Sequence, residues 1–141
     1  EVLVMLYINF VLKINLGSSE NLLKLVVLVL TGSFTGITFG MAVATIKASE
    51  VAKIGIVNAI TMSLSALSGL YSPIIKYKAD KYVPFLNKIN PTNLINDSLL
   101  AINYFDDSKR YMINITLLLV IGCVLSILTI FVLRRRKYEY I

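Results

Sequence analysis

The chain of 141 residues has no histidine and no tryptophan, and Cys123 is its single cysteine. One thiol cannot close an internal disulfide. Without imidazole there is no Cys/His metal cluster and no Cys–His nucleophile. Cys123 therefore reads as a small apolar packing residue of the last apolar stretch. Charge is scarce as well. Asp, Glu, Lys and Arg make up 16% of the chain and hydrophobic residues 57%, whereas soluble domains carry about a quarter charged residues. With a mean hydropathy of +0.77, this balance points to a membrane protein. The formal charge of +6 then reads as basic flanks that hold helices in a bilayer. A nucleic-acid partner is not expected, since the basic residues do not form a polar domain of their own.

Catalytic signatures are missing too. None of the seven glycines is followed by lysine, so there is no G-x-x-x-x-G-K-[ST] phosphate cradle. G-x-S-x-G and H-E-x-x-H are absent. No catalytic residue, bound cofactor or metal is expected. The chain opens at Glu1 inside an apolar run. No basic segment and cleavage site follow, so it reads as part of a longer protein rather than as a signal peptide.

What is present is apolar length. Residues 25–46, 54–75 and 111–133 carry no Asp, Glu, Lys or Arg. At about 1.5 Å per residue each would be a helix of roughly 33 Å, enough for a hydrocarbon core of about 30 Å. Backbone groups find no water in lipid, so such runs must be helical. The absence of intramembrane charge argues against a proton-driven carrier built from these helices alone. Asn58, the most polar residue in a window, reads as a bond to a neighbouring helix. Residues 2–12 are too short to span and read as the end of a helix. The expected organisation is a partial span at 1–16, spans at about 22–46, 54–75 and 111–133, an outer helical segment at 76–110, and a basic tail at 134–141. The fold class is all-α: a polytopic transmembrane bundle with a re-entrant or amphipathic helical segment between its last two spans.

Gly32, Gly36, Gly40, Ala44 and Ala48 recur every fourth residue. In lipid, helices associate by close contact, which small residues permit, so this stripe reads as a helix-packing face. Thr31, Ser33, Thr35, Thr38 and Thr45 add hydroxyls able to bond carbonyls along or across the contact. The connections differ. Ser19 and Ser49 suit N-caps, with Glu20 and Glu50 in the first turns and Lys47 at the negative end of the preceding helix. In 76–110, Asn90 suits an N-cap and Pro91 the first helical position. Leu94, Ile95, Leu99, Ile102 and Phe105 follow helical spacing opposite Asn93, Asn96, Asp97 and Asn103, which predicts one or two amphipathic helices at the membrane boundary. "RRRK" directly after the last span is the densest basic cluster, and it places the tail and the 47–53 turn in the cytoplasm.

"LSGLYSPI", then "YVPFLNKINPTNLINDSLL", then a last span ending in "RRRK" resembles the C-terminal part of ABC-2 type transporter permeases, the membrane subunits of a class of ATP-binding-cassette exporters. Ser68, Gly69 and Pro73 match a Ser-Gly-x-x-x-Pro element. Pro84, Asn90 and Pro91 match a proline followed by an Asn-Pro pair. Members often carry an arginine soon after that pair; here none occurs before Arg110. The resemblance implies a bacterial plasma-membrane exporter in which a separate P-loop ATPase subunit hydrolyses ATP and two permease domains pair as a homo- or heterodimer. It implies that Lys47, Ser49, Glu50 and Lys53 meet the ATPase. It also implies that Ser68, Gly69, Pro73, Pro84, Asn90 and Pro91 belong to a re-entrant gate element near the outer face. The other reading open at this point is a polytopic membrane binding protein, an immunity or sensor protein for a membrane-active peptide, without transport. A P-loop partner separates the two.

Overall fold

The computed structural model describes residues 19–105 and 107–138. The expected partial span at 1–16 and the tail beyond 138 lie outside them. Every regular element among the described residues is helical. In order they are α1 (Ser19–Ala44), α2 (Glu50–Leu67), α3 (Pro73–Tyr82), α4 (Pro84–Lys88), α5 (Pro91–Leu100), a π-helical segment (Ala101–Phe105) and α6 (Ser108–Tyr138). Three are long and apolar enough to cross a membrane: Glu20–Ala44, Glu50–Leu67 and Ser108–Arg135.

α1 and α6 form the main packing pair. Contacts advance together along both helices, so the two run parallel. Near the start, the Tyr111 hydroxyl donates to the Lys24 carbonyl at 2.8 Å, and Lys24 Nζ donates to Ser108 Oγ at 3.1 Å. Deeper, Leu25 and Leu28 meet Tyr111, Ile115 and Leu118 in the core, together with Leu94, Ala101 and Ile102. Further along, Thr35 Oγ1 donates to the Leu118 carbonyl at 3.1 Å.

The buried face of α1 is thus Leu25, Leu28, Thr31, Thr35 and Thr38, at spacings of three and four. Each of these threonines also returns its hydroxyl to a carbonyl one turn back. That satisfies the group without water and makes polar residues tolerable at membrane depth. The glycine stripe lies about 100° away around the helix. Cβ atoms built on Gly36 and Gly40 would meet nothing within 4 Å, and one on Gly32 would meet the Ile95 side chain at 3.2 Å. Gly40 and Ala44 instead border an apolar cleft of about 220 Å³ whose far wall is α2. α1 ends at Ala44, so Ala48 lies in the following turn and is not part of the helical stripe.

The close approach between α1 and α6 is taken instead by Gly122 of α6. A Cβ there would stand 2.5 Å from Phe34 Cε1. Asn58, in the same apolar cleft, donates no side-chain hydrogen bond to a described residue, unlike the interhelical bond expected of it.

α2 is shorter than its uncharged window of 54–75. Its 18 residues give about 27 Å, near the lower limit for a span. Leu70, Ile74 and Ile75 are apolar yet leave the helix, because Ser68 and Gly69 stop it and Pro73 starts the next. No residue of α2 is buried among the described residues.

Candidate functional site

The α1–α2 turn is held at both ends. Ser49 takes extended angles (φ −63°, ψ 155°), and its Oγ accepts from the Ala52 amide at 3.3 Å. Glu50 occupies the first turn, where the helix dipole favours an anion. Lys53 reaches back, and its Nζ donates to the Ala44 carbonyl at 3.0 Å. Lys53 therefore supplies a cation at the carbonyl end of α1, a role the sequence had not suggested for it.

At the opposite end of α2, Gly69 has φ 87°. Its amide donates to the Ala66 carbonyl at 3.2 Å and the Leu70 amide to the Ser65 carbonyl at 3.3 Å. This is the Schellman pattern, which closes a helix with a left-handed residue. Ser68, fully buried, donates its hydroxyl to the Ser65 carbonyl at 2.8 Å. The chain then enters three short helices, where one or two were expected. Pro73, Pro84 and Pro91 each stand in the first turn of one of them. There the missing amide costs nothing.

Asparagines pin this segment to α2. Asn90 is 1% exposed. Its Oδ1 accepts from the Thr92 amide at 3.0 Å, capping α5, while its Nδ2 donates to the Leu64 carbonyl at 2.8 Å. Asn96 Nδ2 donates to the Ser68 carbonyl at 3.2 Å. Asn93 Nδ2 donates to the Asn87 carbonyl at 3.0 Å, and Asn87 Nδ2 to Asp80 Oδ1 at 2.5 Å. Ser68, Gly69 and Asn90 are thereby brought to one place. Pro73 and Pro84 are exposed helix starts and make no part of that contact. The signal that sequence reading missed is the recurrence of asparagine at 87, 90, 93 and 96 in "NKINPTNLIN". A polar residue every third position reads as a solvated face. In the fold the amides of Asn90, Asn93 and Asn96 reach the carbonyls of Leu64, Asn87 and Ser68 near helix ends, and that of Asn87 reaches the Asp80 carboxylate.

A second group was not foreseen at all. Arg110, in the first turn of α6, clasps Asp97 of α5 through both guanidinium branches, and Asn114 Nδ2 donates to Asp97 Oδ2 at 3.0 Å. Burial pushes the Asp97 carboxyl up, but the bonds from Arg110 and Asn114, with the charges of Arg110 and Lys76, outweigh it and hold the group below the usual carboxylate range. The pair is 13 residues apart in sequence, and the π-helical segment between them sets their meeting. That segment also breaks the expected apolar face. Ala101 and Ile102 are buried while Phe105 points out, 63% exposed, beneath the Arg110 guanidinium. Among the described residues no cluster of three His, Cys, Asp or Glu side chains could hold a metal ion.

A family model described as ABC-2 family transporter protein matches residues 2–131. No curated protein and no solved structure matches the chain.

Proposed function

The chain belongs to the ABC-2 transporter family, an integral membrane component of an ABC transporter, and from that premise we propose that it is the permease part of an exporter driven by ATP hydrolysis in a separate P-loop subunit. The observation that carries this reading is the family match over residues 2–131, which takes in all three candidate spans almost whole. By the order of elements, 1–141 corresponds to the C-terminal part of such a transmembrane domain. Two such domains pair, as one gene product or two. The substrate remains a free variable of the proposal, since the described spans present no ionised side chain at mid-depth to select its charge.

In this reading the basic C-terminus and the α1–α2 turn face the cytoplasm. Lys47, Ser49, Glu50 and Lys53 meet the ATPase. The capped ends of the turn support this role: a rigid loop transmits a push to two helices, whereas a loose one absorbs it. The segment from Ser68 to Pro91 is the outer gate. Its support is the break in α2 at Gly69 and the asparagine ties to Leu64 and Ser68, which couple any movement of α5 to α2.

The test is purification of the intact protein in mild detergent, identification of its stoichiometric partner and an ATPase assay. A P-loop subunit with hydrolysis that drops when Glu50 is changed to Lys establishes the reading and locates the coupling turn. A protein that purifies alone, without nucleotide turnover, returns the assignment to a membrane binding protein.

A further inference from the structure

A cleft of about 340 Å³ opens between the outer helices and α6, within the roughly 300–1,000 Å³ of small-molecule sites. Its upper wall carries Lys76, Asp80 and Lys88, and its floor is Leu94, Ile113 and Leu117. Arg110 and Asp97 close one side and satisfy each other. Asp80 already accepts from Asn87. Lys76 and Lys88 enter no ion pair with a described residue. The cleft therefore sets Lys76, Lys88 and Arg110 against Asp80 and Asp97, which leaves one positive charge in excess.

Its depth profile matters. Ile113 and Leu117 lie three and seven residues below Arg110, about 5 and 10 Å down the α6 axis into the span. Tyr77, Tyr82 and Phe85 on the same outer helices are 68%, 73% and 76% exposed, as aromatic residues are at a membrane boundary. A ligand here meets positive charge at the boundary and an apolar wall directly beneath it.

We propose that this cleft holds the head group of an anionic phospholipid. Its phosphate lies by Lys76 and Lys88, and its acyl chain starts along Ile113 and Leu117. Basic residues at a membrane surface attract anionic head groups. The site does not depend on export or on any ATPase contact.

The test is native mass spectrometry of the delipidated protein, titrated with phosphatidylglycerol and with phosphatidylcholine, which carries no net charge in its head group. One phosphatidylglycerol is expected per chain, and the Lys76→Gln/Lys88→Gln variant should bind it about tenfold more weakly, the loss of a charged hydrogen bond. Lys88→Gln alone, at an exposed side chain, should show part of that loss if the double variant does not fold. Equal binding of the two lipids by the unaltered protein would overturn the proposal, as would full affinity in both lysine variants. Glycerophosphoglycerol or inorganic phosphate competing as well as the lipid would overturn the lipid assignment, since the apolar floor would then contribute nothing.

Discussion

Gly69 and Gly122 resist side chains for different reasons. At Gly69 the backbone itself is the obstacle: φ is 87°, and a Cβ would stand 2.9 Å from Lys76 Cβ. Gly69→Ala should cost about 1–2 kcal/mol from the left-handed conformation, read as a lower melting temperature in detergent. At Gly122 the helix is ordinary and the obstacle is the Phe34 ring. Gly122→Val should cost about 1–3 kcal/mol through overpacking, and Phe34→Ala in the same chain should return part of it. Additive effects of the two changes would contradict that contact. Gly36 has neither obstacle, so Gly36→Ala should raise stability by about 0.5–1 kcal/mol, the usual cost of glycine inside a helix. A loss instead would show that another helix closes on the stripe in the assembled protein. Asn90 makes the opposite case, a side chain used at both ends. Asn90→Asp keeps the acceptor for Thr92 but removes the donor to Leu64 and buries a charge. It should therefore destabilise by about 1–3 kcal/mol where a mere cap would be conserved.

Among elements, the joint between α5 and α6 carries an ion pair beside its apolar contacts. Asp97 has its pKa lowered in the fold, so the folded state favours the carboxylate. That contribution is complete above the ordinary aspartate value of about 3.9 and is lost as pH falls below it toward the folded value. Melting temperature should therefore hold from neutral pH to about 5 and decline below about 4, and Asp97→Asn should flatten this part of the profile. A decline of equal size in the variant would assign the acid sensitivity elsewhere. The joint also shows why α5 was only half legible. Its start followed from Asn90 and Pro91, whose caps are local. Its end did not, because the π-helical segment turns the chain through a register that the apolar spacing of Leu99, Ile102 and Phe105 does not encode.

For the whole molecule, the three crossings place the α1–α2 turn on one side of the membrane and the α3–α5 segment on the other. With Cys123 replaced by Ser, a cysteine at Ser49 should react with an impermeant maleimide only after cells are opened. One at Lys81 should react in intact cells. The reverse pattern would invert the orientation and move the basic tail out of the cytoplasm. The exposed faces of α1, α2 and α6 are apolar for most of their length, as lipid or a second permease domain requires. Lipid gives no hydrophobic reward for packing helices together, so a bundle this open is held by close contacts and by the polar ties of its α3–α5 segment.

Three long runs without charge were enough by themselves to determine an all-helical membrane protein, because lipid leaves backbone groups no partner but their own helix. Local chemistry was equally legible: Ser49 and Asn90 as caps and Pro91 as a first residue. The tertiary structure alone decided which face of α1 is inside. Small residues permit contact but do not compel it, and threonines that bond their own carbonyls lose nothing by burial, so the threonine face met α6 and the glycine face did not. It alone decided the partners of Asn96, Asp97 and Arg110, since a hydrogen bond between side chains on different helices depends on where those helices cross, and no spacing within either one records that.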